Sequence, residues 1–378
     1  IALFYVLFVS IIQKNTIYLS MNVLDLFCGC GGLSNGFKQA GFNIDIGIDI
    51  DEDSVATYSK NFPNSEAICK DITNFSKKEI KKIFAHRNID VLVGGPPCQG
   101  FSSANRWDKE KNDPRNKLFL EYFNFIDALK PKVVLIENVR GILTMNNGYT
   151  KNKIIGLFKD SGFKLTHAAT LNSADFGVPQ NRIRAFFIAV QEKNFDRKID
   201  IYNSSQIKGL NVKDALGELY TLEKKDLRED FYILKNSPDT SYRRYLRSRH
   251  NKIYNHEVKY PAEVTQEKIS YVPQGGNWRD IPNHILKSNR TNRHSSAYRR
   301  LDEEHHSVTI DTGNSHSNYF HPTFNRIPSV REAARIQSFK DNFIFLGPRG
   351  SQYRQVGNAV PPLLAKGIAK AIKKEYFN

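Results

Sequence analysis

Asn22-Val23-Leu24-Asp25-Leu26-Phe27-Cys28-Gly29-Cys30-Gly31-Gly32 begins as a short apolar run and ends in a turn holding three glycines. The run reads as a buried strand, and residues 33–40, amphipathic and closed by Gly41, read as the helix after it. A strand, a glycine-rich turn and a helix N-terminus in that order let backbone approach a nucleotide-type cofactor closely. A dinucleotide fingerprint would want a glycine at position 34, where this chain has Ser34, so the turn alone does not specify the cofactor.

The same alternation of short apolar runs and amphipathic stretches continues to about Val190. Strands are predicted over residues 23–27, 44–49, 89–93, 133–137 and 185–190, and helices over 33–40, 116–129 and 151–161. That pattern predicts an α/β fold, a doubly wound, mostly parallel sheet with helices on both faces. After about Glu192 regularity gives way to a basic stretch rich in Tyr, Asn, Ser and Arg with turn signals such as Pro273-Gln274-Gly275-Gly276-Asn277, read as a second, smaller domain. Helical patterning returns near Ile327, with Ser329 a cap before residues 330–339 and a final helix over 363–376. The domain expectation is therefore 21–192 catalytic and cofactor-binding, 193–325 recognition, and 326–378 helices returning to the first domain. Residues 1–12 are apolar but too short to span a bilayer, and they lack the flanks of a signal peptide. Since Met21 sits immediately before the first strand, residues 1–20 are expected to be a non-native or disordered leader, the alternative being a genuine N-terminal segment.

The 378 residues are 40% hydrophobic, enough for a large core without disulfides or a structural metal. Lys and Arg number 55 against 39 Asp and Glu, net +16, which favours a polyanionic partner. The charge is concentrated: residues 241–300 hold 13 Lys or Arg against 4 Asp or Glu, net +9. The four cysteines, Cys28, Cys30, Cys69 and Cys98, have neither zinc-site spacing nor the density of a secreted scaffold, so a reducing cytoplasm and no metal are expected.

Chemistry concentrates at the C-terminal ends of the predicted strands. Asp49 closes the second strand about twenty residues after the glycine turn, where a carboxylate accepts from ribose hydroxyls; alternatively Asp49 or Asp51 caps the helix that starts near Glu52. Gly94-Gly95-Pro96-Pro97-Cys98-Gln99-Gly100-Phe101-Ser102 sets a cysteine in a loop stiffened by proline, which suits a nucleophile, although a lone cysteine is as readily an inert thiol. Residues 133–136 end in Glu137-Asn138-Val139, so a carboxyl and an amide emerge beside that loop.

These blocks, in this order, resemble the bacterial cytosine carbon-5 DNA methyltransferases of restriction-modification systems, over about residues 22–192 and 326–376. The resemblance implies S-adenosylmethionine as cofactor and duplex DNA as substrate. It assigns nucleophilic attack to Cys98, protonation of cytosine nitrogen 3 to Glu137 beside Asn138, and base or site contacts to Arg184 and Arg182 of the Gln180-Asn181-Arg182-Ile183-Arg184 block. It places Phe27, Cys28, Gly29, Gly31, Gly32, Asp49, Ile50, Asp71, Ile72 and Pro96 around the cofactor, with Asn358 and Val360 of the Gln355–Pro362 block returning to the glycine turn. Ile50 is aliphatic where many members carry a larger residue, which leaves its stacking role in doubt. Gln99, Ser102, Arg243, Arg244, Arg247 and Arg249 are the expected DNA contacts, while the stretches 271–278 and 298–301 read equally as scaffold or as base readers. A monomer that pairs functionally, without stable binding, with a restriction endonuclease in the bacterial cytoplasm is expected, with no membrane. The rivals are a transfer-RNA cytosine methyltransferase, disfavoured because no cysteine follows Cys98, a catalytically silent DNA-binding protein, and a nicotinamide oxidoreductase.

Overall fold

The computed structural model describes residues 21–97, 114–194, 198–201, 207, 209–223, 230–286, 298–311 and 319–377. Its centre is a seven-stranded sheet of β1 (Asn22–Leu26), β2 (Asn43–Asp49), β3 (Glu66–Cys69), β4 (Val91–Gly94), β5 (Val133–Val139), β6 (Phe163–Asn172) and β7 (Ile183–Gln191). The strand order is β3-β2-β1-β4-β5-β7-β6, parallel except that β7 runs against both β5 and β6. The order reverses between β1 and β4, and the crevice above that point is where an open α/β sheet holds a ligand.

Side-chain alternation explains why the sheet is covered twice. Val91, Val93, Val133, Leu135, Phe186, Ile188 and Val190 join one apolar cluster, whereas their neighbours Leu92, Val134, Ile136, Ala185, Phe187 and Ala189 join the other. Successive residues of a strand point to opposite faces, so a continuous apolar run needs a helical layer on each side. One layer holds α1 (Gly32–Gln39) and α2 (Glu52–Asn61); the other holds α3 (Lys77–Ile83), α4 (Pro114–Leu129) and α5 (Tyr149–Asp160).

The second unit adds α6 (Val212–Leu216), β8 (Phe231–Ile233), α7 (Ser241–Leu246), β9 (Lys252–Tyr254), α8 (Glu263–Ser270), α9 (Asn283–Leu286), β10 (Arg299–Arg300) and β11 (Tyr319–Phe320). It carries two small apolar clusters, one of Leu219, Leu234 and Ile253 and one of Val272, Ile281 and Leu286. Val212, Ala215, Leu216, Tyr242, Tyr245 and Leu246 instead enter the main core. The chain then returns through α10 (Val330–Ile336), α11 (Arg349–Asn358) and α12 (Pro362–Tyr376). Ser329 caps α10 in a reciprocal box with Glu332, and α12 crosses α1 so closely that a Cβ on Gly36 would lie 2.3 Å from that of Ala365.

Two strands of the central sheet are absent from the sequence reading. β3 and β6 lie at the two sheet edges with mixed exposure along their length, so neither carries the apolar run by which the central strands are recognised. The first strand stops at Leu26 rather than Phe27, because Phe27 has φ 57°, a left-handed conformation that ends pairing. Among the described residues, no helix is long and apolar enough to cross a membrane.

Candidate active site

A cleft of 740 Å³ opens at the C-terminal ends of β1, β2, β4 and β5. The glycine turn forms its floor through Phe27, Cys28, Gly29 and Gly32. Gly31 has φ 92°, and a Cβ on Gly32 would sit 2.4 Å from the Val360 carbonyl, so the turn tolerates no side chain at that second position. That contact brings Val360 onto the turn, and Asn358 and Val360 line the same cleft. Gly31 itself backs onto Tyr58 and Phe62.

The carboxylates divide their roles. Asp51 caps α2 by accepting from Ser54 N at 2.9 Å. Asp49 accepts from Gly29 N at 2.8 Å and Asp51 N at 3.0 Å, bracing the turn while facing the cleft; burial raises its pKa against the pull of those amides. Asp25, 1% exposed, accepts from the Ser34 hydroxyl at 2.6 Å through Oδ2, and its Oδ1 has no hydrogen-bond partner among the described residues. Burial pushes Asp25 up to about 7, with Ser34 opposing. An orphaned buried oxygen and two further carboxylates suit a hydroxyl-bearing, cationic nucleoside. Ile50 is 65% exposed and does not line the cleft. Asp71 spends its carboxylate on Thr73 N at 2.8 Å, and the Ile72 side chain packs in the core; neither lines the cleft.

At the other end, antiparallel pairing sets Val139 of β5 opposite Arg184 of β7, which makes Glu137 the diagonal neighbour of that arginine on the same face. Arg184 Nε lies 3.3 Å from Glu137 Oε1. Burial raises the Glu137 pKa, and the charges of Arg182 and Arg184 oppose it. Asn138, 5% exposed, donates from Nδ2 to the Pro96 carbonyl at 2.7 Å and accepts from Val139 N at 2.9 Å. It thereby ties β5 to the Pro96-Pro97 segment that leads directly into Cys98. Cys98, Gln99 and Ser102 lie outside the described residues. Cys28 and Cys30 also line the cleft, but burial raises both thiols, with Asp25 and Asp49 adding to it, so neither is a ready thiolate.

Arg182, 2% exposed, donates to the carbonyls of Ile310 at 3.1 Å and Asn358 at 3.3 Å, joining three distant segments. The turn before it is stitched to residues 307–310. Ser307 N donates to Pro179 O at 2.9 Å, Asn181 N to Ser307 O at 2.8 Å, Thr309 Oγ1 to Asn181 O at 2.8 Å, and Ile310 N to Gln180 Oε1 at 2.9 Å. Thr309, Ile310 and Asp311 therefore line the cleft, and nothing in their sequence marks them. Arg354 lines it too, and its spacing from Asn358 on one helix was a usable signal.

The four arginines expected on DNA separate into two kinds. Arg247 is buried against Glu218 at 2.7 Å, and Arg243 pairs with Asp239 at 2.8 Å while donating to the Lys213 and Asp214 carbonyls. Their guanidinium groups are committed within the protein. Arg244 and Arg249 are exposed. Arg300 is 7% exposed and donates to Pro322 O, Ile269 O and Asn325 Oδ1, which makes it scaffold. Glu218 also accepts from Arg335, whose other partner is Asp341, so buried ion pairs join the second unit to the segment after α10.

The profile of the family described as C-5 cytosine-specific DNA methylase matches residues 21–374. The chain is 36% identical over 369 residues to Type II methyltransferase M1.HphI of Haemophilus parahaemolyticus, covering 97% of this chain and 91% of that one. It is 34% identical over 381 residues to Type II methyltransferase M.DdeI of Desulfomicrobium norvegicum, covering 95% and 90%. Among solved structures, a prophage-encoded E.coli protein described as a DNA modification methyltransferase superposes with TM-score 0.77 at 28% identity, over 94% of this chain and 99% of that chain. With the profile spanning the glycine turn, the Glu137 strand, the second unit and α11, this chain belongs to the C-5 cytosine-specific DNA methylase family.

Proposed function

We propose that this protein methylates carbon 5 of a cytosine within a short duplex DNA sequence, using S-adenosylmethionine and a transient covalent bond from Cys98. The observation that carries this reading is the Glu137 carboxyl, mostly shielded from solvent beside Arg184 and against Gly95 of the segment that leads to Cys98. Carbon 5 of cytosine is a weak nucleophile. Attack of the Cys98 thiolate at carbon 6, with nitrogen 3 taking a proton from Glu137, moves an electron pair onto carbon 5. S-adenosylmethionine, when bound, supplies an electrophilic methyl group. Loss of the carbon 5 proton to a base, such as water, then expels Cys98 as thiolate, and nitrogen 3 returns its proton to Glu137, which restores the ring.

Placement supports each of these residue roles. Burial keeps a proton on Glu137 at higher pH than a free carboxyl would hold one, and Arg184 orients it. Asn138 holds the Pro96 carbonyl and so sets where the next residues begin. Asp49 would take the ribose hydroxyls and Phe27 and the glycine turn would lie beneath the cofactor, a reading supported by their lining one cleft. The reacting atoms of a paired cytosine are inaccessible, so the nucleotide turns out of the duplex at a cost of about a few kcal/mol, offset by contacts from the basic recognition unit. Arg244 and Arg249 are the exposed candidates for those contacts. In this reading residues 193–325 recognise DNA, the protein acts as a monomer in the bacterial cytoplasm, and it protects host DNA from a cognate endonuclease.

The test is transfer of labelled methyl from S-adenosylmethionine to unmethylated duplex DNA, followed by bisulfite sequencing. Label confined to cytosines in one short motif is expected, and Cys98→Ala should abolish it while sparing cofactor binding. Label in transfer RNA instead of DNA, or full activity of Cys98→Ala, would overturn the reading.

A further inference from the structure

The cleft is acidic where the cofactor would lie. Asp25, Asp49 and Asp51 all line it, which suits the sulfonium and ammonium groups of S-adenosylmethionine but repels its single carboxylate. A carboxylate entering there needs a cation. Among the described residues lining the cleft, the cationic side chains are Arg182, Arg184 and Arg354. Arg182 is 2% exposed and bonded to the Ile310 and Asn358 carbonyls, and Arg184 is engaged with Glu137. Arg354 is exposed, and its guanidinium makes no hydrogen bond or ion pair with any described residue.

Helical spacing sets its direction. Ser351, Arg354, Gln355 and Asn358 stand at i, i+3, i+4 and i+7 of α11, and all four line the cleft. This face abuts the glycine turn, since Cys30 Sγ donates to the Gln355 carbonyl at 3.5 Å. The opening amides of α1, Gly32 and Leu33, line the same cleft, and Gly31 at the cap position brings no side chain to them. The N-terminal end of α1 and an uncommitted guanidinium thus face one cleft beside the turn, and both favour an anion.

We propose that Arg354 is the counter-ion for the carboxylate of the cofactor's amino-acid moiety, so that this residue distinguishes S-adenosylmethionine from its decarboxylated form. The proposal rests on the reading of the cleft as the S-adenosylmethionine site. Calorimetric titration of the full chain with each of these two compounds tests it, in the wild type, Arg354→Ala and Arg354→Lys. Arg354→Ala is expected to weaken S-adenosylmethionine binding about 10-fold, the scale of one hydrogen-bonded charge pair at a partly open site. It should leave the decarboxylated compound within about twofold, and Arg354→Lys should recover part of the loss. Equal weakening of both compounds overturns the proposal in favour of a structural role. No change in either also overturns it, and a reduced salt dependence of DNA binding in the same variant would then give Arg354 to a phosphate. A wild-type chain that binds neither compound overturns the cofactor reading itself, an outcome separate from one in which both bind and Arg354→Ala is silent.

Discussion

Replacing Asn138 by Ala should uncouple the cysteine loop from β5 without disturbing the cofactor end of the cleft. Asn138 is 5% exposed, and its Nδ2 is the described donor to the Pro96 carbonyl, at 2.7 Å. Alanine leaves that carbonyl and the Val139 amide without side-chain partners. An unsatisfied buried polar group costs about 1–3 kcal/mol, which the loop relieves by shifting toward solvent. If the shift is paid at the reacting geometry, methyl transfer slows about 5- to 150-fold, since each 1.36 kcal/mol is tenfold in rate. Single-turnover transfer at saturating DNA and cofactor reads this directly, and the dissociation constant of S-adenosylmethionine, measured alongside, should stay within about twofold because Asp49 and the glycine turn are untouched. Asn138→Asp, which keeps the acceptor for Val139 but sets a carboxylate against the Pro96 carbonyl, should be slowed at least as much. A rate within twofold of wild type in Asn138→Ala, in protein of unaltered thermal stability, would refute the role assigned to this bond.

Two further outcomes concern stability. Asp25 carries a pKa raised from 3.8 to about 7 by burial, so between those values the folded protein holds a proton that the unfolded chain has lost. Stability should therefore fall as pH rises through this window, by up to about 4 kcal/mol from this group, and Asp25→Asn should flatten the dependence in thermal unfolding followed from pH 4 to pH 8; an unchanged profile would remove Asp25 as its source. Arg335→Met leaves Asp341, 0% exposed, without its paired guanidinium, and should lower the urea midpoint by the equivalent of about 3–5 kcal/mol, the cost of stranding a buried charge. A shift below about 1 kcal/mol would mean the site admits water or protonates instead.

What the sequence disclosed and what it hid divide along physical lines. Central strands announce themselves by unbroken apolar runs, and residues at their C-terminal ends share one crevice by topology. That is why Asp49, Glu137 and Asn138 could be grouped before any coordinates, whereas Arg184, at the N-terminal end of the antiparallel β7, was joined to them only by the family resemblance; all four line one cleft. Edge strands β3 and β6 carry no such run. Arginine function was the least legible property. Arg247 and Arg249 are two positions apart in one basic segment, yet one is locked onto Glu218, 29 residues away, and the other faces solvent. A charge count registers both equally, because the partner that neutralises a buried arginine is supplied by tertiary structure. Thr309 and Ile310 were invisible for the same reason: they bond to residues some 130 positions earlier, beside the cleft they line.

If residues 193–325 read DNA as proposed, the seam between residues 307–310 and the turn at 179–182 limits where that unit can be exchanged for a relative's. A recognition region grafted from a relative and cut at residue 325 would bring its own counterpart of Ser307, Thr309 and Ile310 to meet a Gln180 and Arg182 fitted to different backbone. The mismatch would fall on Arg182, two residues before the arginine paired with Glu137, and a chimera could grip its new sequence while losing turnover. A graft closed just before Ser307 keeps the stitched pair native. Under that proposal the freely exchangeable stretch lies upstream of the seam, and residues 307–310 belong, mechanically, with the cleft.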